Sequence, residues 1–534
     1  MDIRRWRAFF CAWIVLLPVL LAAGCAGNDR TTIHVDIPTA IENLDPQYAT
    51  DETARMIIAN IFEGLLVQNP DGSITPGAAA SYTVSDDGRI YTFRLRDGRF
   101  WHGQDDEPVP VTAHDFVFAF QRLLAPGAGS PYADDFMLIE NAAAVRSGQL
   151  DAEALGVKAM TDTLLVFALT KPDFRFPALL TGTAAMPCNP EQFRDARGRY
   201  GLEKKFTGAN GSFYVDTWTA QQIRLRINSQ YQPEQAPIVG VNLYIGKENL
   251  WKRFADNVTD MALVPTAVAN PLGAKNTSKL VTHTTTTWCL VFNQRDPVWG
   301  NPLLRQSLAH ALLYDVKEQI PGENLAKTDL FLPPAVLWQG AVYRTLTENQ
   351  PAPLAYDAEA AARLSQLGLE ALRLNRLPAL ELFVPNTGSH AAIWEQAAKN
   401  WRTQPGAATQ IRQLTEEELW QRWESGEFQA LLLPFTPADA APESLLRLFE
   451  STAAGNGAHY KSAQFDRFLQ EALDAPTPEL ALTRLSQAER ILLADAVLIP
   501  AYTQQTTYAI SKDALGTEIF PFGGRIRFPV TARG

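Results

Sequence analysis

Residues 81–103 read SYTVSDDGRIYTFRLRDGRFWHG, and after an acidic insert residues 111–124 continue VTAHDFVFAFQRLL. Asp86-Asp87-Gly88 stands between two runs of β-formers, and Asp-Gly in that position signals a hairpin turn. Tyr91, Phe93 and Leu95 alternate with Thr92, Arg94 and Arg96, the period of a strand that buries one face. Trp101 follows. Thr112, with Asp115 three residues on, reads as an N-cap with a returning carboxylate. Phe116, Phe120, Leu123 and Leu124 then recur at helical spacing. Strand, turn and capped helix in this order predict an α/β protein.

Working outward, the same patterns recur along the chain. Ile33–Ile37 alternates as a strand, and Asp51–Phe62 reads as a helix with Met56, Ile57, Ile61 and Phe62 inward. Strands are predicted over 164–169, 223–227, 288–293, 380–384 and 497–502. Thr415 with Glu418 forms a capping box before Leu419, Trp420 and Trp423. The triplet Glu416–Glu418 is read as favourable charge at a helix N-terminus and not as a metal site.

The 534 residues exceed one ordinary core, so two or three lobes are expected. The net charge is -11, which argues against a nucleic-acid surface, since that needs clustered Lys and Arg. The start of the chain carries Arg4, Arg5 and Arg7, an apolar run from Ala8 to Ala23, then Gly24-Cys25. That is a secretory signal, too short for a membrane span. Small residues before Cys25 resemble a lipoprotein processing site, so Cys25 is expected to carry acyl chains. Each buried methylene of such a chain adds about 0.8 kcal/mol of membrane affinity.

Cys188 and Cys289 are the cysteines that remain beyond Cys11 and Cys25; two distant cysteines make no disulfide framework, and inert buried thiols are expected. The seven His are scattered without metal-ligand spacing. No phosphate-cradling Gly loop, G-x-S-x-G or H-E-x-x-H motif occurs. Asp105-Asp106-Glu107 reads as a solvated loop. No cofactor, no metal and no catalysis are expected.

The wording of the opening stretch resembles the signature of the peptide-binding family of bacterial extracytoplasmic solute-binding proteins, the receptors of ABC importers. Tyr91, Phe93, Leu95, Arg96, Trp101, Val111, Thr112, Ala113, Asp115 and Phe116 match its Y-x-F-x-L-R, Trp and V-T-A-x-D-F positions. The resemblance extends from Leu44-Asp45-Pro46 and Phe62-Glu63-Gly64-Leu65 to Asn210-Gly211, Tyr356-Asp357 and His459-Tyr460-Lys461-Ser462. It implies a two-lobed periplasmic-binding-protein fold, type II, cluster C, with an extra inserted domain.

The boundaries so implied are a signal peptide 1–24, first lobe 25–66, 201–284 and 501–534, inserted domain 67–200, and second lobe 285–500. The implied function is capture of an extended peptide between lobes. The partners are then the peptide, an ABC permease in the inner membrane, and the membrane itself through the N-terminal lipid. A monomer in the periplasm or cell envelope is expected.

The family fixes the peptide's amino terminus with an Asp in W-x-x-D-x-x-x-P. Here Phe435 stands at the Trp, Ala438 at the Asp, and Asp439 one place late. Either a local shift lets Asp439 serve, or the α-amine is held differently. The other ligand-binding candidates are Tyr48, Thr50, Trp288, Trp423 and Asn456. The apolar run Leu431–Leu433 suggests a greasier or shorter ligand. Two alternatives stand beside the peptide receptor: the same fold binding a sugar, metal chelate or haem, and a lipid-anchored sensing protein without transport.

Overall fold

The computed structural model describes residues 31–103, 108–231, 238–265, 268, 270–312, 324–347 and 354–529. The expected signal peptide, the lipid site Cys25 and the triplet Asp105–Glu107 lie outside the described residues.

The quoted stretch folds as one unit. Strands Ala79–Val84 and Ile90–Leu95 form an antiparallel hairpin, extended by Leu164–Ala168 and Val157–Thr161 into a four-stranded sheet. Gly88 turns the hairpin at φ 70°, a left-handed conformation that a side chain opposes. Tyr91, Phe93 and Leu95 are buried while Arg94 and Arg96 are exposed, as the period of two requires. Helix Ala113–Leu123 packs Phe120 edge-on against Phe167, with ring centroids 5.1 Å apart. The Asp115 carboxylate accepts from Thr112 N at 2.7 Å and from Trp101 Nε1 at 3.2 Å. The Trp and the Asp of the stretch are therefore one buried joint between hairpin and helix. Burial raises the pKa of Asp115, against these hydrogen bonds.

An eleven-stranded sheet organises the rest. One half runs Phe213–Trp218, Gln222–Ile227, Gly240–Ile245, Thr32–Ile37, Met261–Leu263; the other ends Ala430–Phe435, Leu380–Pro385, Thr409–Leu414. Between them lie two long antiparallel strands, Leu498–Ile510 and Lys279–Phe292, paired from Lys279 opposite Ile510 to Val291 opposite Leu498. Both outrun the predicted 288–293 and 497–502, because the added residues (Thr282–Thr287 and Thr503–Thr507) are polar and carry no apolar alternation. The pair changes register between Thr284 and Thr286 and again between Trp288 and Cys289. Such irregularities bend and twist a ladder, so the bend falls where the halves join.

Each half has its own interior. Ile33, Val35 and Leu243 share a core with Phe93 and Phe167 of the four-stranded sheet. In the other half, Cys289, Val291, Leu431 and Leu433 face one cluster containing Trp423 and Phe465, whereas Leu290, Phe292 and Leu432 face a second containing Trp299 and Trp394. This is a sheet buried on both faces, and the fold is two-lobed. The C-terminal segment bridges the lobes: Phe522 is buried in the second lobe's core and Phe528 in the first's. Cys188 and Cys289 are free and buried. Among the described residues no helix is long and apolar enough to cross a membrane.

Candidate functional site

A cavity of about 420 Å³ opens where the crossing strands meet the end of Ala430–Phe435. Register builds it. Thr287 stands opposite Phe435 and Trp288 opposite both Pro434 and Tyr502, while Thr286 pairs with Gln504 at the bulge. The strand Ala430–Phe435 stops there, whereas Lys279–Phe292 continues past it. Thr286, Trp288, Pro434, Phe435, Thr436 and Gln504 thus reach one space. Helix Glu416–Ser425 adds Glu416 and Trp420, and Leu445 and Leu448 close the apolar wall.

The floor is rigid. Trp288 is 5% exposed, donates its indole N–H to Gln504 Oε1 at 2.9 Å, and packs on His390 with centroids 4.3 Å apart. His390 is bonded in turn to the Tyr502 hydroxyl. Burial lowers the His390 pKa to about 4, so the imidazole under the indole is neutral at neutral pH. Phe435 is held edge-on by Phe331, Trp420 and Trp423 at 5.6–6.1 Å. The Thr286 and Thr436 hydroxyls share a 2.7 Å hydrogen bond on the exposed side.

Of the residues singled out from the sequence, Trp288 and Phe435 meet at this cavity. Trp423 does not line it: it is 3% exposed and donates to Gly455 O at 2.9 Å within the core. Asn456 ties its own loop, donating to Glu450 O and Tyr460 O and accepting from Tyr460 N. Asp439 is exposed, and its carboxylate accepts from Ala441 N at 2.8 Å and from Ser444 Oγ. It closes the turn into Glu443–Leu446. Leu431–Leu433 are fully buried in the lobe's interior; their apolar character belongs to the core.

Tyr48 and Thr50 lie on the first lobe. Tyr48 is half-buried, with the Arg122 guanidinium 5.1 Å from its ring centroid, and Arg122 is ion-paired to buried Asp45. Thr50 is exposed beside Asp51, which caps helix Glu52–Ile61. Sequence reasoning missed Glu416 as a lining residue. The available signal was an excess: Glu418 alone completes the capping box with Thr415, and Glu416 lies four residues before Trp420, on one helix face.

A second cavity, about 290 Å³, lies in the first lobe between helix Glu52–Ile61 and the C-terminal segment. Its carboxylate, Glu63, is taken up by Tyr231 OH at 2.6 Å and Arg99 Nε at 3.2 Å. Among the described residues no group of His, Cys, Asp and Glu could hold a metal ion.

Comparison with known proteins fits this architecture. A probable deoxycholate-binding periplasmic protein of Escherichia coli is 27% identical, over 86% of each chain. The oligopeptide-binding protein OppA of Bacillus subtilis is 24% identical, over 98% of each. Among solved structures, peptide-bound OppA of Listeria monocytogenes superposes with a TM-score of 0.66 at 21% identity, covering 93% of this chain and 98% of that one. The Escherichia coli murein tripeptide-binding protein MppA gives 0.67 at 22%, again covering 93% and 98%. The model of the bacterial extracellular solute-binding proteins, family 5, matches residues 73–457. With the match covering most of its length and the two-lobed fold shared, this chain belongs to family 5 of the bacterial extracellular solute-binding proteins.

Proposed function

We propose that this protein is an exported receptor, lipid-anchored through Cys25, that captures oligopeptides between its lobes and delivers them to an ABC permease in the inner membrane. The observation that carries the reading is the aromatic-walled cavity at the bend of the crossing strands. Beyond Phe435 the strand Lys279–Phe292 has no strand neighbour on that side among the described residues. An extended peptide adds to such an edge through its main chain, while pockets take its side chains. Closure of the lobes then excludes water and presents a shape that the permease reads. The oligopeptide-binding relative matched over 98% of both chains supports the peptide. The lobes divide, in this reading, as 25–66, 201–284 and 501–534 against 285–500, with 67–200 inserted in the first. The protein acts as a monomer and carries out no reaction.

A second reading keeps the receptor and changes the solute. It is favoured by Ala438 standing where the family's ammonium-binding Asp is expected, and by the relative named for deoxycholate. Thermal unfolding of the lipid-free chain with a di- to pentapeptide library, and separately with deoxycholate, decides. A ligand at a hundred times its Kd adds about 2.7 kcal/mol of stability. Stabilisation by peptides supports the first reading; stabilisation by deoxycholate with silence across the library overturns it.

A further inference from the structure

Resting on the receptor reading above, we propose that Glu416 is the counter-charge for the ligand, and that the cavity selects an ammonium group carried beside an apolar side chain. The cavity wall contains one ionisable side chain, Glu416, and no Lys, Arg or His. Glu416 is exposed and has no salt-bridge partner among the described residues. Its neighbours in the triplet are engaged elsewhere: Glu418 accepts from Thr415 N at 2.8 Å, and Glu417 from Gln421 Nε2 at 3.4 Å. The single-sign potential of three carboxylates on one turn draws a cation and repels an anion.

The walls beside Glu416 fit the same ligand. Trp420 lies one helical turn away on the same face and packs edge-on against Phe435, and Trp288 lines the same cavity. Indole faces attract a cation and also bury apolar surface. Trp288 has committed its N–H to Gln504, and the His390 behind it is neutral, so the floor offers no positive charge to a carboxylate. The capping box takes two of the donors at the helix N-terminus nearby, Thr415 N and Glu418 N. An ammonium seated between Glu416 and Trp420, with its apolar neighbour against Trp288 and Phe435, satisfies charge and surface together. Two sources carry that chemistry: the free N-terminus of a peptide with an apolar first residue, and a lysine side chain flanked by apolar residues.

Glu416→Gln separates them. Titration calorimetry of wild type and E416Q uses four probes: a free-amine Leu-rich tripeptide, its N-acetyl form, an N-acetyl tripeptide containing Lys, and deoxycholate. The expected result is a loss of at least about tenfold in affinity for an amine-bearing probe, with the neutral N-acetyl peptide bound equally by both proteins. A loss confined to the free-amine tripeptide assigns the N-terminus; a loss confined to the Lys peptide assigns the side chain. Equal affinity of wild type and E416Q for every peptide overturns the counter-charge and leaves the receptor standing. Deoxycholate bound by wild type while no peptide binds overturns both. Unchanged unfolding midpoints of E416Q keep a folding defect out of the comparison, and E416D provides a second variant that retains the charge.

Discussion

His390 makes the second lobe acid-sensitive in a way that can be calculated. It is 6% exposed, beneath Trp288 and bonded to Tyr502. Burial holds its pKa at about 4, against 6.5 in the unfolded chain. A depressed histidine pKa means that the folded state refuses a proton which the unfolded state takes up. The stability is therefore complete above pH 6.5 and is lost as pH falls towards 4. At 1.36 kcal/mol per unit, the loss from this residue reaches about 2 kcal/mol by pH 5 and about 3 kcal/mol by pH 4. Buried carboxylates such as Asp115 and Glu63, whose pKa values burial raises, act in the opposite direction, so a wild-type profile alone mixes both. The variant His390→Gln shares every other group. Urea unfolding followed by tryptophan fluorescence at several pH values between 7 and 4 gives the difference profile. Wild type is expected to lose about 2 kcal/mol more than H390Q between pH 7 and 5. Parallel profiles would refute the claim that this imidazole is held neutral by burial.

Other expectations follow from single contacts. Asp439→Ala removes the acceptor for Ala441 N and Ser444 Oγ; it costs about 1 kcal/mol of stability and leaves ligand affinity in calorimetry unchanged. Asn456→Ala unties three hydrogen bonds of its loop and costs roughly 2 kcal/mol, read as a lower urea midpoint with affinity retained. Glu489→Gln breaks the ion pair that fully buried Glu489 makes with Arg344 and costs about 3–5 kcal/mol, measured by the same unfolding. Trp288→Ala empties the cavity floor and the stack on His390; affinity falls at least about tenfold, which calorimetry at neutral pH reads directly.

The elements that bury one face against a core were legible in the sequence. Tyr91, Phe93 and Leu95 announced their strand because water drives every second residue inward. Asp51 and Thr415 each sit at the helix start that their capping chemistry dictates. The crossing strands were only half visible. Thr282–Thr287 and Thr503–Thr507 are polar along most of their length, and a ladder that runs between two lobes needs no apolar face. Asp439 stayed open for a related reason: one-dimensional spacing cannot tell a carboxylate aimed at a ligand from one that closes a turn. In the structure its carboxylate accepts from Ala441 N and Ser444 Oγ.

The bend and the cavity occupy the same residues. Thr286 and Gln504 line the cavity and sit at the register change of the crossing pair, and Trp288 borders the next one. A solute that packs on Trp288 while touching Thr286 therefore contacts the part of the backbone whose twist orients one lobe against the other. It can shift that orientation only by the difference in its contacts between the two arrangements. Contacts confined to the second lobe, such as those of Leu445 and Leu448, add affinity without that difference. Contacts reaching the first lobe supply it, and the C-terminal segment already spans that boundary, with Phe522 in the second lobe's core and Phe528 in the first's. A ligand long enough to touch both sides of the bend would supply that difference, whereas one held by Trp288, Trp420 and Phe435 alone would not.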